Sequence, residues 1–322
     1  MTRGWHFNGG LRLKLMMLLL GLVLFALCKP AAGQEQAAAN ATQPAPGARW
    51  VDPSTGMAFR WIAPGCFTMG SPAAEKGRDR DEGPQHKVCL SGFWLGETEV
   101  TQGQWQAVTG DNPSLIKNGE TYPVDMVSWN MAKEYAAKLG AMDGGNFRLP
   151  TEAEWEYACR AGTRAPYFFG DTITHDQASF DKRFSLPAAP LEPRRKTRRK
   201  KHAKPAPRIW PNMHTSAAAS FPANAFGLYD MHGNLWEWCE DVYDAGYYAR
   251  SPRDNPRNES EGPARVLRGG SWVTRGVALR SANRSRGWPD MRTAFYGFRL
   301  VRVVSAPAQP PAQGSRPDIS NR

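Results

Sequence analysis

Residues 148–157 read Arg148-Leu149-Pro150-Thr151-Glu152-Ala153-Glu154-Trp155-Glu156-Tyr157. Pro150 has no amide hydrogen to give a helix interior, so it marks a boundary. Thr151 with Glu154 three residues on is a capping box and Gly162 is a stop, so a helix is predicted over 151–161. Two more segments carry signals of this kind. Residues 101–108 have Thr101 as cap and end before Thr109-Gly110; residues 128–139 have Ser128 as cap, apolar positions at Trp129, Ala132, Ala136 and Leu139, and Gly140 as the stop. The remainder is short β-prone pieces such as 92–100 and 265–272, separated by Gly, Pro, Asn and Asp. This pattern predicts an α+β domain rich in loops. Binding surfaces are commonly built on such loops.

The chain has 322 residues, 41% of them hydrophobic and 22% charged, which suits one or two real cores and excludes disorder over most of its length. Arg3, Arg12 and Lys14 precede an apolar run over 15–27, and Ala31-Ala32-Gly33 supplies small residues before Gln34. That order predicts a signal peptide over 1–33 and a periplasmic or secreted product. Thirteen apolar residues fall short of the ~20 needed to span a bilayer, and bulky Leu27 argues against lipidation at Cys28. Residues 34–49 and 304–322 are Pro- and Gln-containing and read as a flexible linker and a tail. Between them, 50–303 reads as one domain.

The formal charge of +11 is uneven. The signal segment removes four basic residues from 41, leaving 37 against 30 acids. Residues 190–208 hold nine more (Arg194, Arg195, Lys196, Arg198, Arg199, Lys200, Lys201, Lys204, Arg208) and one acid, Glu192, which leaves the body at 28 against 29. The body is near neutral, so specific nucleic-acid binding has no support. The basic segment reads as a disordered surface insert. It is either an electrostatic hook for an anionic envelope partner or a solvated insertion.

Cys66, Cys89, Cys159 and Cys239 follow the signal segment. In an oxidising compartment four cysteines allow three pairings. Cys66 and Cys89 flank a polar loop in strand-like contexts, which favours Cys66 with Cys89 and Cys159 with Cys239. No C-x-x-C spacing suggests zinc or a redox dithiol. Glu97 and Glu99 share a strand face and could form a carboxylate pair or each meet an arginine. His86 and His232 read as turn or surface histidines, and 79–82 as a solvated loop.

Six blocks together carry a resemblance. They are Gly65-Cys66-Phe67-Thr68-Met69-Gly70-Ser71, Phe93 through Thr101, Pro123-Val124-Asp125-Met126-Val127-Ser128-Trp129, Arg148 through Tyr157, Asn224 through Trp238, and Arg268-Gly269-Gly270-Ser271-Trp272 with Gly297-Phe298-Arg299. In this order they resemble the formylglycine-generating enzyme, or sulfatase-modifying factor, family over essentially 50–303. The resemblance implies a C-type-lectin-like α+β fold. It also implies a calcium site from the Asp230 side chain, the Gly233 and Leu235 carbonyls and the Glu237 side chain. Hard oxygens from a tight turn suit calcium. A further calcium site of the family would need an asparagine where Ser179 stands, so it is not expected.

Oxidase members of the family hold copper(I) between two cysteines just after the Gly-Gly-Ser motif. Here the first falls on Thr274 and the second in 275–279, which has no cysteine. Soft thiolate ligands are what copper(I) requires, so no copper is expected. Phe295 stands where the oxidases carry an asparagine. Trp236, Ser271, Trp272 and Thr274 are the expected groove residues, with Trp236 and Trp238 packing core or lining the groove. The resulting expectation is an extracytoplasmic, calcium-stabilised binding or accessory module for a peptide, protein or small molecule, without formylglycine-generating activity. The alternatives are a periplasmic maturation enzyme similar to the pyoverdine-maturation homologue, or a true formylglycine-generating enzyme.

Overall fold

The computed structural model describes Met1, residues 43–181 and residues 215–303. Nearly all of the expected signal peptide, most of the linker 34–49, the basic segment 190–208 and the tail lie outside the described residues. Among the described residues no helix is long and apolar enough to cross a membrane.

The main sheet has five strands in spatial order β1 (Arg49–Val51), β2 (Ala58–Ile62), β5 (Phe93–Gly96), β11 (Val301–Val303) and β6 (Asn146–Arg148), all paired antiparallel. The centre of the sheet falls to β5, whose Phe93, Trp94 and Leu95 are all buried. An unbroken apolar run is what a strand covered on both faces needs. Three helices follow their caps. Thr101 and Gln104 make the capping box of α1 (Gln102–Thr109), Ser128 caps α2 (Trp129–Asp143), and Thr151 with Glu154 caps α3 (Glu152–Arg160). One core packs Ala132, Tyr135, Ala136 and Leu139 of α2 with Trp105, Phe59, Phe147 and Phe298. A second gathers Trp155 and Ala158 of α3 with Leu95, Val88, Leu228 and Val266.

A four-stranded sheet, in order β10 (Tyr296–Gly297), β7 (Trp236–Val242), β8 (Arg265–Arg268) and β9 (Ser285–Gly287), carries the residues of greatest interest. The hairpin of β3 (Gly65–Met69) and β4 (His86–Leu90) is separate, and its register sets Cys66 opposite Cys89, which form a disulfide.

Several sequence expectations need correction. The α2 helix runs past Gly140 to Asp143, and Gly144 at φ 66° terminates it. Gly140 serves another purpose: a Cβ there would lie 2.8 Å from the Gly145 carbonyl oxygen, where the chain folds back. The strand expected over 265–272 stops at Arg268, because Gly269 and Gly270 turn the chain with φ of 94° and 79°.

Cys159 and Cys239 are not bonded to each other; both are free and buried. The Cys159 sulfur faces Ser281 Oγ at 3.5 Å and the Met231 carbonyl at 3.7 Å, whereas Cys239 faces the Glu237 carbonyl at 4.0 Å. Burial pushes the Cys159 thiol up to about 12, so it stays protonated. His232 is not at the surface: it is buried, its Nδ1 contacts the Leu279 carbonyl at 2.6 Å and its Nε2 accepts from Phe168 N–H at 3.1 Å. The 79–82 loop is not wholly solvated either. Its Glu82 is buried and meets Arg280 Nη1 and Nη2 at 2.7 and 2.6 Å.

Candidate functional site

The loop from Asp230 into β7 is wound tightly. Asp230 has φ 56°, and Gly233 has φ 97° with the Ser179 carbonyl oxygen only 2.2 Å from where a Cβ would sit. Glycine is therefore required at 233 on both counts. Asn234 N–H then donates to that same Ser179 carbonyl at 2.9 Å, and the Asn234 side chain accepts from Ser216 N–H at 3.0 Å.

Asp230 is 6% exposed; its Oδ2 accepts from Ala219 N–H at 2.8 Å, while Oδ1 is buried with no partner. Burial pushes this carboxyl up to about 6, and the nearby Glu237 adds to the effect. Glu237 itself is fully buried on β7 and matched by Arg299, whose Nε and Nη2 donate at 2.6 and 2.7 Å, with Trp155 Nε1 donating at 2.9 Å. A carboxylate offers about four lone-pair sites, so these three donors leave one open.

The structure separates Glu97 from Glu99. Glu97 pairs with Arg60 at 2.7 Å and Arg49 at 2.8 Å. Glu99 is 1% exposed and both of its oxygens lack a partner. Burial first, then Asp230 and Glu237, hold the Glu99 carboxyl well above the ordinary carboxylate range. Three carboxyl groups thus share one guanidinium, and their mutual repulsion is part of what raises Glu99 and Asp230. Among the described residues no group of three or more His, Cys, Asp and Glu side chains is disposed as a metal site. What the loop offers a hard cation is the orphaned Asp230 Oδ1, the remaining lone pair of Glu237 and the two carbonyls. That donor set is all oxygen and fits calcium rather than a soft metal.

Of the four expected groove residues, Ser271 and Thr274 touch each other directly, while Trp236 and Trp272 are each bonded to other parts of the chain. Trp236 N–H donates to the Phe295 carbonyl at 2.9 Å, Trp272 N–H donates to the Asn234 carbonyl at 3.0 Å and Trp272 Nε1 donates to the Ala294 carbonyl at 3.2 Å. Thr274 Oγ1 accepts from Ser271 N–H at 2.9 Å and donates to the Ser271 carbonyl at 2.8 Å, so its side chain locks the turn. Ser271 Oγ is buried without a partner. Trp236 and Trp238 are both buried, and Trp238 Nε1 donates to the Val127 carbonyl at 2.9 Å.

A cleft of about 1130 Å³ opens beside this turn, between the 72–76 loop, residues 164–180 and Arg275–Val277. Lys76, Arg164 and Arg275 bring positive charge to it, and Tyr167 and Phe180 bring aromatic faces. Sequence reasoning passed over this cleft, because its walls come from loops far apart in the chain. It also passed over the pairing of Glu237 with Arg299, although a glutamate set between two buried tryptophans does call for a cation.

The family profile of the sulfatase-modifying factor enzyme 1-like domain matches residues 51–304. The chain belongs to the sulfatase-modifying factor family. Within it, the chain is 35% identical over 217 residues to the formylglycine-generating enzyme of Streptomyces coelicolor, covering 65% of this chain and 60% of that protein. It is 32% identical over 278 residues to a protein named serine/threonine-protein kinase pkn1 of Chlamydia caviae, covering 78% of this chain and 38% of the other. This family member therefore spans less than two thirds of the length of either relative. Among solved structures, PvdO from Pseudomonas aeruginosa superposes with a TM-score of 0.66 at 29% identity, covering 81% of this chain and 100% of PvdO. The loop-rich C-type-lectin-like α+β fold of the family is the fold found here.

Proposed function

We propose that this sulfatase-modifying factor domain is a calcium-stabilised, extracytoplasmic binding or accessory module that lacks formylglycine-generating oxidase chemistry. The observation that carries the reading is at Thr274. Where the oxidases place the first copper cysteine, this chain has a hydroxyl engaged on both sides by Ser271. The 275–279 segment supplies no sulfur. Both free cysteines among the described residues are buried elsewhere with raised thiol pKa values. Oxygen ligands at that turn do not suit copper(I).

Calcium would rest on Asp230, Glu237 and the carbonyls of Gly233 and Leu235. When bound it supplies an electrostatic tie and no reaction step. The chain's own residues do the rest: Arg299 and Trp155 hold Glu237 in place, and Asn234 anchors the loop to Ser179 and Ser216. The ligand would be a peptide, protein or small molecule seated over Trp236, Ser271, Trp272 and Thr274. The cleft next to that turn, with Lys76 and Arg164 at its edge, would favour one carrying negative charge.

The test offers the purified protein a Cys-x-Pro-x-Arg peptide with copper and oxygen, and follows the peptide mass. The expected outcome is an unchanged cysteine. Conversion above a heat-killed control overturns the reading. The likeness to PvdO supports a second reading, an enzyme of altered chemistry similar to the pyoverdine-maturation homologue. A mass change at a residue other than cysteine, in a candidate substrate, would favour that reading.

A further inference from the structure

The turn between β1 and β2 and the end of α2 meet at two aspartates. Asp52 is fully buried: its Oδ1 accepts from Thr55 N–H at 2.8 Å and from Thr55 Oγ1–H at 2.6 Å. Asp143, the last residue of α2, accepts on Oδ1 from the Ser54 hydroxyl. The second oxygen of each carboxylate, Asp52 Oδ2 and Asp143 Oδ2, is buried and has no donor. The two side chains nevertheless lie within hydrogen-bond reach of each other.

Two carboxylates set oxygen to oxygen can share one proton or hold one cation. The contact with Asp52 holds the Asp143 carboxyl above the ordinary aspartate value while Asp52 falls below it, so one shared proton and a cation compete for the pair. The surroundings add negative potential, since α2 points its C-terminal carbonyls at this corner. Arg302, the cation within electrostatic reach of Asp143, lies over the Trp50 ring at 4.1 Å. Ser54 adds a hydroxyl oxygen, and Asp143 is only half-buried, so water can complete a coordination shell.

We propose that Asp52, Asp143 and Ser54 hold a hard divalent cation of the calcium class that fastens the β1–β2 turn to the C-terminus of α2. This corner is built from other elements than the Asp230 loop and stands independently of it. With two carboxylates and few rigid ligands, its dissociation constant should lie on the order of 10⁻⁴–10⁻³ M, the range of extracellular calcium modules.

The experiment measures calcium bound to the full chain by equilibrium dialysis, and its melting temperature with and without millimolar calcium. The variants are Asp143→Asn, Ser54→Ala and Asp230→Asn. Asp143→Asn should bind one calcium fewer than the unmodified protein and lose part of the calcium-dependent rise in Tm. Ser54→Ala should weaken that equivalent several-fold, and Asp230→Asn should keep it. Equal calcium uptake by Asp143→Asn and the unmodified protein overturns the proposal, as does no uptake by either, which would leave the pair sharing a proton. If Asp143→Asn fails to fold by circular dichroism, Ser54→Ala decides, and unchanged affinity there overturns it.

Discussion

At the residue scale, this protein is held by arginines that reach buried carboxylates. Arg299 meets Glu237, Arg268 meets Glu156, Arg284 meets Glu152 and Arg280 meets Glu82, and all eight side chains are nearly or wholly inaccessible. A buried pair contributes little over an apolar pair of the same shape, yet removing one partner strands the other charge at a cost of about 3–5 kcal/mol. Arg299→Met should therefore lower unfolding free energy by about 3–5 kcal/mol, measured as a fall in the urea midpoint at unchanged m-value. A loss under about 1 kcal/mol would mean that Glu237 finds another partner or a proton. These pairings were not legible in the sequence, because the partners are 62 residues apart for Arg299 and Glu237 and 132 for Arg284 and Glu152. Glu97 and Glu99 show the same limit. Their shared strand position suggested a common role, but Glu97 meets arginines near the surface while Glu99 turns to the interior.

At the scale of elements, what was legible was local. The caps at Thr101, Ser128 and Thr151 are all made as the sequence implies, since a cap involves residues only three apart. Thr151→Ala should cost ~1 kcal/mol, because Glu154 N–H loses its acceptor at 3.1 Å; thermal melts of the variant and of Thr151→Ser read this directly, with serine restoring most of the loss. Helix ends were less legible. Gly140 looked like a stop, but tertiary packing of the returning chain set the requirement for glycine there, and the helix continued through it. The second disulfide was misjudged for a related reason. An even cysteine count says nothing about direction, and the side chains of Cys159 and Cys239 turn to different neighbours.

At the scale of the molecule, the family blocks made the fold legible over the whole domain, while the site was legible only in part. The loop from Asp230 to Glu237 and the turn from Ser271 to Thr274 could be named as candidates because each is contiguous in the chain. The 1130 Å³ cleft was not, because the 72–76, 164–180 and 275–280 segments meet only after folding. The basic residues of 190–208 belong to this scale too, since that segment accounts for most of the chain's net positive charge. Deleting 190–208 should leave the melting temperature within about 1 °C, as a segment with almost no apolar side chains adds little burial. It should abolish retention on a heparin column at low salt; retention equal to the full chain would remove the proposed electrostatic role.

On the proposed reading, the anchoring of Arg280 to Glu75 and Glu82 bears on whether a copper site like that of the oxidases could be built here. Those pairs pin the end of the segment that begins at Thr274, and they leave Leu279 without solvent access and facing the Gly270 backbone. A cysteine at 274 would stand at the turn, but one at 279 would point into packed interior. Building a two-sulfur site there would thus need the segment re-threaded and its arginine released, a change of path that no single substitution makes.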